Sequence, residues 1–108
     1  MFPVVILVLA FVFMAGAPAA AQVEEGVKVY AAQKCSICHS IAGTGNKKFP
    51  LDGVGSKLTA AQIREWIVDP RAAEKKANST AKPPMKPYPN LPKAEVDALV
   101  AYMQSLKK

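Results

Sequence analysis

No stretch constrains this chain more than Cys35-Ser36-Ile37-Cys38-His39. Two thiols three residues apart, with an imidazole directly after the second, read as the attachment site of a c-type haem. Residues i, i+3 and i+4 share one face of a helical turn. Cys35, Cys38 and His39 therefore converge, so that both sulfurs can bond to the porphyrin's vinyl carbons while the imidazole reaches the iron. Other chemistries use paired thiols: a dithiol exchange site, half of a zinc site, or a short-loop disulfide. The chain has two Cys and one His, all inside the motif, so zinc would have to complete its usual shell of four ligands with carboxylates. Thiol exchange does not need the adjacent His, and no βαβ pattern surrounds the pair.

The 108 residues suffice for one domain. Residues 1–21 carry no charged side chain; Phe2 to Ala15 is apolar and the segment ends on small residues, with Ala19 and Ala21 in a small-x-small arrangement. That pattern predicts an export signal over 1–21, cleaved before Gln22, followed by a single domain over 22–108. The rival reading is a retained N-terminal anchor. As a helix, residues 2–21 would extend about 30 Å, just enough to cross a bilayer. Lys and Arg are missing from the start, which favours the anchor; Pro3, Gly16 and Pro18 favour cleavage. Both readings deliver the domain outside the cytoplasm, to the periplasm or to a membrane-anchored position facing it. Cleavage leaves 87 residues, a size that buries only about 60% of its unfolded surface. A tethered haem would serve such a chain as core and staple together.

All 14 basic and 8 acidic residues lie after residue 21, giving +6. Nucleic acid is a poor partner for an exported chain that lacks a basic run with interleaved aromatics. An acidic protein surface, or simple solubility, accounts for the charge. A membrane enters only if the N-terminal segment is retained.

Three helices are expected. Val27, Tyr30 and Ala31 mark a stripe on the first, over about Val23–Lys34, with Glu24 and Glu25 near its start. Gly26 inside it costs about 1 kcal/mol relative to Ala; it reads either as a close approach by another helix or as fraying. Residues 42–55 read as loop. Thr59 and Gln62 match a capping box opening a second helix, with Ile63, Trp66 and Ile67 as its buried stripe and Asp69-Pro70 as its end. Residues 71–90, charged and then proline-dense, are expected to form an extended wall. A last helix starts near Pro92, with Val96, Leu99, Val100, Met103 and Leu106 on one face. With no strand-like alternation, the fold class is all-α: three main helices plus loops packed around one covalently attached haem.

His39 leaves the iron's opposite face open, and no second His exists. Of the four Met, Met1 and Met14 lie in the export segment and Met103 falls on the core stripe. Met85 stands in Pro83-Pro84-Met85-Lys86-Pro87, where prolines restrict the loop before binding. A thioether is a known haem ligand, so Met85 is the expected second axial ligand; an exposed linker Met is the alternative.

From Glu24 to Lys107 these features resemble a class I c-type cytochrome, a small monohaem bacterial electron carrier. In that family a Gly and an aromatic on the first helix pack across the last helix, which carries another aromatic; Gly26, Tyr30 and Tyr102 match. The resemblance implies that the carbonyl of Pro50 holds the axial imidazole and that Leu58-Thr59 through Trp66-Ile67 form the helix beside the haem, with Trp66 in its pocket. It also implies that Pro84-Met85 through Asn90-Leu91 form the methionine loop. The cofactor set is then one covalent haem c with its iron, attached at Cys35 and Cys38 and ligated by His39 and Met85.

With both axial positions filled, the iron has no site for substrate, which points to single-electron transfer between redox proteins rather than to an enzyme. Lys47, Lys48, Lys82 and Lys86 flank the site and could steer an acidic docking surface. The protein would act as a monomeric shuttle or as a dedicated subunit of a dehydrogenase or oxidase complex. A five-coordinate haem sensor or peroxidase, with Met85 a plain loop residue, is the reading from a different class.

Overall fold

The computed structural model describes residues 19–108. The export or anchor segment therefore lies outside the described residues except for Ala19–Ala21, which form the first turn of helix α1 (Ala19–Ala32). Alanine is the best helix former, so α1 starts four residues ahead of the expected Val23, and Glu24 and Glu25 fall beyond its first turn. It stops two residues short of the expected Lys34, which takes a left-handed conformation (φ 56°) and turns the chain into a 3-10 turn over Cys35–Ile37.

The expected stripe on α1 is corrected. Val27 is 45% exposed and Ala31 faces solvent, while the buried positions are Gly26 and Val29, with Tyr30 half-buried beside them. The smallest side chain marks the crossing. A Cβ on Gly26 would run into the Ala98 carbonyl oxygen and lie 2.6 Å from Tyr102 Cβ. Of the two readings of Gly26, close helix approach is the one observed.

After the 3-10 turn come three very short strands, β1 (His39–Ile41), β2 (Thr44–Gly45) and β3 (Phe49–Pro50), ordered β2-β1-β3. β1 pairs antiparallel with β2 and parallel with β3. Ala42 (φ 50°) and Gly43 (φ 81°) link β1 to β2, and two central residues with positive φ are what a type I′ hairpin requires. The Ala42 N–H is held by Asp52 Oδ1 at 2.8 Å. Strands of two or three residues are too short to display an alternating pattern, which is why residues 42–55 read as loop in the sequence although they contain β2 and β3.

Two further helices flank the expected second one. Helix α2 (Val54–Lys57) precedes α3 (Ala60–Val68). The capping box is present: Thr59 Oγ1 accepts from Gln62 N–H at 3.2 Å, and Gln62 Oε1 accepts from Thr59 N–H at 2.9 Å. Beyond α3 the expected extended wall is corrected, because residues 70–77 form helix α4 (Pro70–Ala77). Pro70 ends one helix and starts the next: proline suits the first helical position, the Asp69 side chain accepts from Ala72 N–H, and Ala72 through Ala77 contain only good helix formers. Only residues 78–92 remain irregular. Helix α5 (Lys93–Ser105) follows, with Pro92 at its N-cap and no side-chain cap.

The core joins Val29 of α1, Ile63 and Ile67 of α3, and Val96, Leu99, Val100 and Met103 of α5. Arg64 pairs with Asp97 across α3 and α5, and Lys76 pairs with Glu65 across α4 and α3 at 2.8 Å. The architecture is all-α apart from the small sheet. Among the described residues no helix is long and apolar enough to cross a membrane.

Candidate functional site

A cavity of about 340 Å³ opens between α3, α5, the 3-10 turn and the irregular segment, and its walls are mainly apolar. Cys35, Cys38 and His39 border it on one stretch of chain, and Met85 and Trp66 border it from two others. Five of the six residues expected at a site from sequence are thus gathered around a single space.

Pro50 is the exception. It is exposed, and its carbonyl is not the imidazole's partner: His39 Nδ1–H donates to the carbonyl of Phe49 at 2.9 Å. The register explains the shift. His39 of β1 sits opposite Phe49 and Ser40 opposite Pro50, and successive carbonyls along a strand point to opposite sides, so the one before the proline reaches the imidazole. The Phe49 ring also meets the His39 ring edge-on at 6.3 Å between centroids. With Nδ1 committed as a donor, Nε2 keeps its lone pair free to act as a ligand. The signal in the sequence was a carbonyl in the segment around Pro50; which residue supplied it depended on the pairing of two short strands.

The thiols are unpaired. Burial, the leading cause, pushes the Cys35 thiol above its ordinary value of 9.0, with the neighbouring Cys38 adding to the rise. Dithiol enzymes depend on a lowered thiol pKa, and the Cys35 thiol is shifted the other way. Among the described residues no three His, Cys, Asp or Glu side chains gather to hold a metal ion, and the zinc reading finds no coordination shell. An apolar space bordered by two thiols, an imidazole with a free nitrogen and a thioether fits a covalently tethered haem better than either alternative.

Two methionines border the cavity. Met103 is 6% exposed and locked into the core of α3 and α5, in keeping with a packing role. Met85 is half-buried in a segment free of helix and strand. Tyr30 and Tyr88 also line the space; Tyr88 is anchored by its N–H to the Ile67 carbonyl at 2.9 Å. The Tyr30 hydroxyl is buried with no hydrogen-bond partner among the described residues, and its ring meets Tyr102 edge-on, 5.7 Å between centroids, as the resemblance implied.

Cations ring the opening. Lys48 Nζ stands 5.5 Å from the Phe49 ring centre and Lys86 Nζ 5.6 Å from that of Tyr88, and Phe49 and Tyr88 both line the cavity. Lys34, not singled out from sequence, borders it as well.

Comparison with known proteins agrees with this geometry. Residues 23–107 match the family model described as Cytochrome c. Among curated proteins, the chain is 29% identical over 92 residues to cytochrome c oxidase subunit 2 of Alkalihalophilus pseudofirmus. That alignment covers 77% of this chain but only 25% of the relative, so the chain spans about a quarter of that protein's length. No solved structure matches significantly.

Proposed function

The chain belongs to the cytochrome c family, and from that premise we propose that it is an exported, periplasmic single-electron shuttle whose haem is held by Cys35 and Cys38 and ligated by His39 and Met85. The family carries a covalently bound haem c with its iron, and so does this chain. Bound there, the haem supplies one iron that gains or loses a single electron.

The protein's own residues tune that exchange. Phe49 orients His39 through its carbonyl, and a hydrogen-bonded imidazole is both better fixed and more basic as a ligand. A thioether ligand raises the potential, and apolar walls act in the same direction because they disfavour added positive charge. Lys34, Lys48 and Lys86 put positive charge at the cavity rim, which suits a partner with an acidic docking surface. With His39 and Met85 both committed to the metal, no position is left for a small substrate, and the chain acts as a carrier rather than an enzyme.

The observation that carries this reading is the convergence of Cys35, Cys38, His39 and Met85 on one apolar cavity. It predicts a low-spin ferric holoprotein with a sulfur-to-iron charge-transfer band that Met85→Ala abolishes. A high-spin unsubstituted protein that binds CO or peroxide freely would overturn it in favour of a five-coordinate sensor or peroxidase.

The likeness to an oxidase subunit favours a second reading, in which the domain serves one terminal oxidase as a dedicated electron entry point. A complex that survives purification of the native protein would decide for it.

A further inference from the structure

Met85 borders the cavity from a segment without helix or strand, so something other than secondary structure must hold it there. The molecule supplies one specific tie. The Arg71 guanidinium donates through Nη2 to the Met85 backbone carbonyl, while its Nη1 lies 3.2 Å from Glu74 Oε2. Glu74 itself borders the cavity.

The origin of that guanidinium is fixed. Arg71 is the second residue of α4, between the fully buried Pro70 and Ala72, whose N–H is capped by Asp69. One turn along, Glu74 holds the planar fork in orientation, a task for which a guanidinium is suited because its donors are rigidly arranged. The loop's other fixed point is the Tyr88 N–H on the Ile67 carbonyl, three residues beyond Met85. Between these two ties lie only Lys86 and Pro87, so the loop is held on both sides of a short span.

We propose that Arg71 is the positioning residue for Met85: by holding the Met85 carbonyl, it keeps the thioether at the cavity and suppresses the state in which the sulfur has swung off. This rests on the reading of Met85 as an axial ligand. It adds that helix α4, which makes no covalent or axial bond of its own, sets how firmly that ligand is held. Because the Arg71 side chain is 51% exposed, solvent screens part of the interaction and the effect is moderate.

The test uses the full-length ferric holoprotein and added imidazole, which can occupy the iron only when the sulfur is off. Its apparent affinity therefore reports the population of that state. Arg71→Ala is expected to bind imidazole about five-fold more tightly, the size of one charge-assisted hydrogen bond reduced for exposure. Its thermal unfolding midpoint should fall only slightly, because the lost hydrogen bond is partly offset by the better helix propensity of Ala. Arg71→Lys keeps a charged donor but loses the fork that reaches Met85 and Glu74 together, so it should recover only part of the difference. An Arg71→Ala protein with unchanged imidazole affinity overturns the proposal. So does a tightening that Arg71→Lys shares in full together with a large fall in the unfolding midpoint, which would trace the effect to α4 stability. Failure of the Met85 reading itself shows elsewhere: the unsubstituted protein would lack the charge-transfer band, or Met85→Ala would retain it.

Discussion

Tyr30 shows how far one side chain's chemistry is set by its surroundings. Burial, with smaller contributions from Cys35 and Tyr102, pushes its phenol from 10.0 up to about 12. The Cys35 contribution disappears once that sulfur is a thioether, but burial remains. A raised pKa means that the folded state holds the proton more tightly than the unfolded chain does. The stabilisation is then complete below pH 10 and lost as pH rises through about 12. Alkaline absorbance titration of the folded protein should show a tyrosine ionising near pH 12, absent from Tyr30→Phe; a Tyr30 transition at the ordinary value would contradict the burial argument. His39 and Phe49 carry the other lesson at this scale. That His39 stands beside both thiols was legible from spacing, because CxxCH is a local pattern. Its hydrogen-bond acceptor was misplaced by one residue, because a carbonyl's direction is set by strand pairing that spacing alone does not encode.

At the scale of elements, the crossing of α1 over α5 depends on the missing side chain at Gly26. Gly26→Ala should gain about 1 kcal/mol in helix propensity, yet its methyl meets backbone that cannot rotate aside, and overpacking costs about 1–3 kcal/mol. The net expectation is a lower unfolding midpoint, measured by following helix circular dichroism on heating; a higher one would mean that the helices separate cheaply. The α3–α5 contact has a pH signature. Lys93 and Arg64, by hydrogen bonds to the Asp97 carboxylate, hold its pKa below the ordinary 3.8. A depressed carboxylate pKa stabilises the fold above that ordinary value, and the contribution is lost as pH falls through the lower folded one. Asp97→Asn should therefore cost about 0.5–1 kcal/mol at neutral pH, the range of partly exposed ion pairs. That deficit should close in acid; denaturant titrations at both pH values measure it, and a constant deficit would assign the effect to lost packing. Elements whose signals are local, such as the Thr59 capping box and the α5 stripe, were readable in the sequence. Helix α4 was not. The proline that ended α3 was taken as the boundary of helical structure, whereas the same residue can open the next helix at its first position.

For the molecule as a whole, charge and cofactor act together. The chain carries +6, and Lys34, Lys48 and Lys86 bring part of it to the cavity rim. Electron transfer with an acidic partner should slow as ionic strength rises and the Debye length shrinks from about 10 Å at 0.1 M. Stopped-flow rates over a salt series test this, and a flat profile would reduce the lysines to solubilising charge. The fold leaves room for that cofactor: the core residues of α1, α3 and α5 lie beside the cavity, which Ile63, Ile67, Leu99 and Met103 of that core also line.

The sequence by itself determined the close spacing of Cys35, Cys38 and His39, the all-α class, the capping of α3 and the buried face of α5. Each is written in residues within a few positions of one another, where helical geometry fixes what is adjacent. Only the tertiary structure decided the buried face of α1, the acceptor for His39, the helical state of residues 70–77 and the tie from Arg71 to Met85. Each of those depends on which distant backbone lies opposite a given residue, and that is settled when the elements pack, since intrinsic propensities are weak enough for a single close contact to override them.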